Sequence, residues 1–190
     1  MCTVETLATE GIWRLRLVPD EDAGSWNPRT EWDHLESVVT VPDRSYGVID
    51  VDGGPLASQW RHLISHYDSR TAIEIFTRYA TIYHGAVCLE EFTGRSGPNA
   101  VWYLTREQYS GPDGTPDPLA YLKAQAEEYA AWAEGDVWGY IIEREVTWTR
   151  EDDPTQHTTT WETEESCWGF IGSQYAEQAA REAWAHIDRK

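Results

Sequence analysis

Residues 26–34 read W-N-P-R-T-E-W-D-H and crowd an arginine, two carboxylates, a histidine and two indoles into one short stretch. A guanidinium forks two hydrogen bonds onto a carboxylate such as Glu31, Asp33 or another, and indole faces can sandwich it. Trp26, Asn27, Arg29, Glu31, Trp32, Asp33 and His34 are therefore the leading binding candidates. Two roles compete for them. The first is a self-contained plug that orders a long loop; the second is a recognition site. A pocket formed here would make the same residues an enzyme centre or a small-molecule site.

Other chemistry finds weaker support. Asp20, Asp22 and Asn27 could offer oxygen to a hard cation together with Glu31, Asp33 and His34. Counted from Asp20, Glu31 meets the twelfth position of a calcium loop, but Gly24 stands at the fifth, where an acid is required. His62 and His66 have the i, i+4 spacing of zinc ligands, yet the intervening residues lack the glutamate of the hydrolytic H-E-x-x-H pattern. Cys167 and its neighbour Trp168, in E-S-C-W-G-F, are secondary candidates. An activated thiol there would need His84 or His34 as its base, whereas strand parity groups Cys167 with the core. V-D-G-G-P-L and T-G-R-S-G-P-N lack the lysine and spacing of a phosphate-binding loop. The expectation is no catalytic residue, no metal and no cofactor.

Composition narrows the partners. Thirty-three acidic side chains against fifteen basic ones give a net charge of −18, a field that repels nucleic acid and anionic membranes. The acid is spread: residues 1–50 carry ten acids and four bases, and residues 151–190 carry nine and three. It is not a tail, so it serves solubility or complements a partner's basic groove. The three cysteines have no C-x-x-C spacing, which argues for reduced thiols. Neither a signal peptide nor a long apolar run is present, so a cytoplasmic protein is expected. Eleven tryptophans and ten tyrosines, within 41% hydrophobic content, are enough for one compact domain over 1–190.

The elements that must position these groups follow from periodicity. G-I-W-R-L-R-L-V alternates as a half-buried strand, with Trp13, Leu15 and Leu17 on one side. Residues 19–34 read as a loop entering a short helical turn near Arg29–Leu35. E-S-V-V-T-V is a short strand, 43–54 an extended piece ending in a Gly-Gly turn, and P-L-A-S-Q-W-R-H-L-I-S-H-Y a helix. Residues 72–92 are β-branched and aromatic with Gly85 in the middle, which favours two strands. T-G-R-S-G-P-N is a turn, and A-V-W-Y-L a strand running into a short turn. Residues 118–134 form a helix between an Asp117 cap and Gly135. V-W-G-Y-I-I-E-R-E-V-T-W-T pairs with H-T-T-T-W-E-T-E-E-S-C-W-G-F-I-G as a long hairpin, whose outer end is rich in threonine and glutamate. Ser173 then caps a terminal helix with an Ala176, Ala180, Ala183, Trp184, Ile187 stripe. The fold class is α+β: a mostly antiparallel sheet, two or three helices, and a long C-terminal hairpin followed by a terminal helix.

Three motifs, W-N-P-R-T-E-W-D at 26–33, G-D-V-W-G-Y at 135–140 and S-C-W-G-F-I-G at 166–172, carry a resemblance. The chain resembles a family of acidic bacteriophage and prophage proteins of unassigned activity that have W-N-P-R-x-E-W-D near the start and S-C-W-G-F-x-G near the end. It departs from that pattern in H-L-E-S-V-V-T-V-P-D-R-S-Y-G after the first motif and in a lengthened last hairpin. The resemblance implies a phage context, in which small acidic accessory proteins bind host proteins, including nucleic-acid enzymes of defence systems.

The functional expectation is therefore a non-enzymatic phage accessory protein in the cytoplasm of an infected cell. It binds a host protein, such as a nucleic-acid-binding enzyme, by presenting an acidic, nucleic-acid-like surface, and it contacts neither nucleic acid nor membrane directly. The rival is a small-molecule or nucleotide binder, or an enzyme, with its pocket at the Trp26–His34 loop.

Overall fold

The computed structural model describes residues 3–31, 34–41, 53–91, 100–150 and 155–187. In chain order the elements are β1 (Glu5–Glu10), β2 (Trp13–Pro19), α1 (Pro28–Glu31), β3 (Ser37–Thr40), α2 (Ala57–His66), α3 (Ser69–His84), β4 (Val87–Glu91), β5 (Ala100–Leu104), α4 (Arg106–Ser110), α5 (Pro118–Ala133), β6 (Val137–Thr149), β7 (His157–Ile171) and α6 (Ser173–His186). The fold is α+β with antiparallel sheets, and the terminal helix follows the long β6–β7 hairpin. Two compact units result, one of residues 1–25 with 134–190 and one of residues 26–133.

The first unit is a four-stranded sheet of order β1-β2-β6-β7. Trp13, Leu15, Tyr140 and Ile142 bury one face against Ala180, Ala183, Trp184 and Ile187 of α6 and its end. The alternation of β2 thus sends its apolar set inward as its sequence requires. Arg14 and Arg16, of opposite parity, meet Glu143 directly across from Arg14. Ser173 does not cap α6: Gly172 holds that position at φ 89°, a conformation that suits glycine, and no side chain caps the helix. Strand β1 carries threonines and glutamates on a largely exposed edge, so its sequence lacks the alternation that would have announced it.

The second unit is a three-stranded sheet of order β3-β5-β4. All five residues of β5 are buried, because helices cover both faces. Val101 and Tyr103 pack with Trp60 of α2 and Ile73, Phe76 and Ala80 of α3, while Trp102 and Leu104 pack with Leu122, Ala126 and Tyr129 of α5. The Tyr103 hydroxyl donates to the Gly53 carbonyl at 2.5 Å and accepts from the Leu56 amide at 3.0 Å, tying the entry of α2 to the sheet.

The helix at 69–84 corrects the expectation of two strands over 72–92; only β4, after Gly85, is a strand. Its cause is local as well as tertiary. Asp68 caps the start by accepting from the Arg70 and Thr71 amides, and Gly85 ends the helix at φ 58°. Between them Ala72, Ile73, Phe76 and Ala80 form a buried stripe of helical period, which outweighs the strand preference of the isoleucines, threonines and tyrosines. The expected turn at 93–99 and most of the extended piece at 43–54 lie outside the described residues.

Candidate functional site

The N-P-R stretch begins as a helix start. The Asn27 side chain accepts the Arg29 amide at 2.9 Å and Pro28 occupies the first helical position of α1. This one turn aims Arg29 inward. Its guanidinium lies 5.1 Å from the centroid of the Trp102 ring, and Nη1 donates to the Glu36 carboxylate while Nη2 reaches the Glu36 carbonyl at 3.5 Å. The side chains of Arg29 and Glu36 are 6% and 0% exposed.

His34 completes the cluster. Its Nε2 donates to the Pro28 carbonyl at 2.7 Å, an oxygen that only accepts, and its Nδ1 lies 2.9 Å from the Gln125 amide oxygen and 3.6 Å from Glu36 Oε1. The Leu35 amide donates to the Tyr121 hydroxyl at 3.3 Å. Trp26 packs on Trp132, with ring centroids 6.4 Å apart. The segment is thus stitched to α5 at several points: Tyr121, Gln125 and Trp132.

Burial lowers the Arg29 pKa below its ordinary value, and Tyr121 and Tyr129 oppose that shift. Two charges withdrawn from water are stable only as a pair, and removing either one strands the other. Arg29 Nε and Glu36 Oε2 are buried with no hydrogen-bond partner among the described residues.

Of the seven leading candidates, the structure gathers Arg29 and His34 around Glu36, uses Asn27 as a cap and packs Trp26 against α5, while Glu31 is exposed. Trp32 and Asp33 lie outside the described residues. Arg29 finds its carboxylate at Glu36 and its aromatic face at Trp102, neither of which the local sequence singled out. Arg29 and Glu36 form a buried pair that ties the segment together as an internal clamp.

Cys167 is exposed, which corrects its assignment to the core. Its register partner Tyr140 lies in the core, but β7 is the edge strand of its sheet and residues 163–168 are exposed at both parities, so alternation there does not imply burial. Of the two histidines that could serve as its base, His34 is engaged as described and His84 Nε2 lies 3.3 Å from the Tyr79 hydroxyl. Cys88 is the half-buried thiol, its pKa pushed up to about 11 by burial. On α2, His66 Nδ1 lies 2.8 Å from the His62 carbonyl and the two rings pack on an exposed face. No three His, Cys, Asp or Glu side chains converge on a metal position among the described residues.

A cleft of about 1030 Å³ in the second unit is lined by residues of the α3–β4 junction and α4, among them His84, Gly85, Thr105, Arg106 and Glu107. In the first unit a cleft of about 670 Å³ lies between Trp168 and the acidic turn Asp20–Asp22. Neither is lined by residues 26–34. No helix among the described residues is long and apolar enough to cross a membrane. Compared with protein-family models, curated proteins and solved structures, the chain matches none.

Proposed function

We propose that this chain is a non-enzymatic accessory protein, of the phage-encoded kind its motifs resemble, that acts in the bacterial cytoplasm by binding a basic surface of a host protein in place of nucleic acid. The observation that carries this reading is the distribution of charge. The first unit holds eighteen acids against seven bases, net −11, and the second holds fifteen against eight, net −7. Acidity is a property of each unit separately, so it does not reduce to one tail or loop.

The disposition of the cations supports the same reading. Arg14, Arg16, Arg29, Arg70, Arg144 and Arg181 are each spent on a carboxylate of the same chain. What the surface offers in excess is carboxylate, and a field of one sign steers and selects a partner of the other. Arg29, in the richest constellation of the sequence, is buried against Glu36 and engaged internally.

The test is affinity capture of the tagged chain from a nuclease-treated bacterial lysate at low and high salt. The expected result is a stoichiometric nucleic-acid-binding protein that is retained at low salt, released at high salt and displaced by added DNA. Retention unchanged by salt sinks the reading, because exposed charge pairs are screened within about 8 Å at physiological ionic strength.

A second reading, a small-molecule binder, is favoured by the large cleft with His84, Arg106 and Glu107 at its wall. A thermal-shift screen of metabolites and nucleotides tests it: a ligand whose stabilisation disappears in Arg106→Ala moves the weight there.

A further inference from the structure

Trp168 is a large apolar side chain left 45% exposed, yet the backbone around it is built to hold it. Phe170 pairs with Trp138 and Cys167 with Tyr140, so Trp168 and Gly169 together stand opposite the single Gly139. Such a bulge bends its strand and tightens the local twist. Gly169 takes φ 84°, which favours glycine. Opposite, Gly139 has no Cβ to block the indole: one placed there would lie 2.2 Å from Trp168 Cε3. The ring therefore lies against the backbone of β6 and turns its remaining surface to solvent.

That surface faces a cleft of about 670 Å³ whose other walls are Val4, Val18, Pro19, Asp20, Glu21 and Asp22, with no basic residue in the lining among the described residues. The Asp20 carboxylate accepts the Asp22 amide at 3.0 Å, which fixes the turn carrying the acids. An indole face beside carboxylates is complementary to one chemical group, an organic cation with an apolar stem. The cation meets the ring quadrupole and the negative charge, and the stem meets Val4 and Val18.

We propose that this cleft receives an arginine or lysine side chain from a basic segment of a partner protein, with Trp168 as the anchor of the interface. The inference rests on the acidic-binding reading above and names its contact point. Tryptophan is the residue most often found at the energetic centre of interfaces, and a ring held by its own backbone loses little freedom on binding.

The experiment is fluorescence anisotropy with a short labelled peptide of alternating arginine and glycine, at low and moderate salt. It compares the wild-type chain with Trp168→Ala, with Trp168→Leu, and with Asp20→Asn/Glu21→Gln/Asp22→Asn. A control of equal charge change, Glu107→Gln/Glu127→Gln/Glu182→Gln, is placed elsewhere. Both Trp168 variants leave net charge unchanged and are expected to weaken the peptide about fivefold or more. The acidic-turn variant is expected to weaken it more than the control does, with near-ultraviolet circular dichroism verifying the fold.

Wild-type affinity in both Trp168 variants, with binding that still falls as salt rises, overturns this site and leaves the acidic-binding reading standing. No peptide binding by the wild-type chain at low salt overturns both. Complete displacement by an equal concentration of free spermine makes a small amine the occupant and overturns the peptide assignment.

Discussion

The Arg29 guanidinium is bound by the Glu36 carboxylate seven residues along the chain, both shut from solvent, with the Trp102 ring alongside the guanidinium. A stretch rich in functional groups has been turned inward to hold its own segment. The expected outcome of Arg29→Met is a loss of about 3 kcal/mol or more, because Glu36 is left buried without its cation. Arg29→Met/Glu36→Leu removes both charges and should cost less than Arg29→Met alone. Urea unfolding of wild type, Arg29→Met, Glu36→Leu and the double variant checks this, and a double variant as costly as the two singles together would mean that packing, not charge pairing, dominates there.

Glu143 sits between Arg14, at 2.6 Å, and Arg16, at 3.3 Å, while Arg14 also stacks 4.0 Å from the Trp161 ring centroid. Burial pushes the Glu143 carboxyl up, and the two arginines outweigh it, so its pKa lies below the ordinary value of 4.5. A depressed carboxyl contributes stability that is fully present above the unfolded-state value and is lost as pH falls through the lower folded-state value. Glu143→Gln should therefore destabilise the chain by about 1–3 kcal/mol at neutral pH. The gap between variant and wild type should close below pH 4.5. Urea midpoints across that range are the measurement.

Gly139→Ala places a methyl group 2.2 Å from Trp168 Cε3, a distance that forces the indole to move. The expected cost is about 1–3 kcal/mol, typical of overpacking. In a Trp168→Ala background the same substitution should cost almost nothing. A double-mutant cycle by thermal unfolding reads the coupling, and additive effects would show that the ring does not rest on Gly139.

The two described thiols should differ in reactivity. Cys167 is exposed, whereas the pKa of Cys88 is pushed up to about 11 by burial. At pH 8 a thiol of that pKa is ionised to about one part in a thousand. Brief treatment with a thiol-alkylating reagent followed by peptide mapping should label Cys167 and spare Cys88 until denaturant is added. Equal labelling in the native chain would contradict the burial of Cys88.

Where local pattern and final environment agree, the sequence was sufficient to place the element. Asp117 does cap α5, its carboxylate accepting the Ala120 amide at 3.0 Å, and Gly135 follows the helix at φ 77°. Trp13, Leu15 and Leu17 are buried as their alternation requires. The strands β6 and β7 pair as the expected hairpin from Val137 with Ile171 to Thr149 with His157, with two register shifts on the way. For β2 and α5 one face of one element meets one core, so a period of 2 or 3.6 carries the whole message.

Where the partner comes from far along the chain, the sequence was silent. Residues 69–84 are a helix because β5 presents Val101 and Tyr103 to the stripe of Ile73, Phe76 and Ala80, a surface that outweighs strand propensity. Arg29 chose Glu36 over Glu31 because α1 turns its side chain toward β5, and His34 met Gln125, ninety-one residues away. Cys167 pairs with the core residue Tyr140 yet is exposed, because β7 is the edge strand and no described residue covers it there. By itself the sequence determined the fold class, most of the elements and the −18 charge, all of which follow from composition and period. Which polar groups were sealed inside, and which indole was left exposed beside the acidic turn Asp20–Asp22, was decided only by tertiary structure, because burial depends on what the rest of the chain brings to each face.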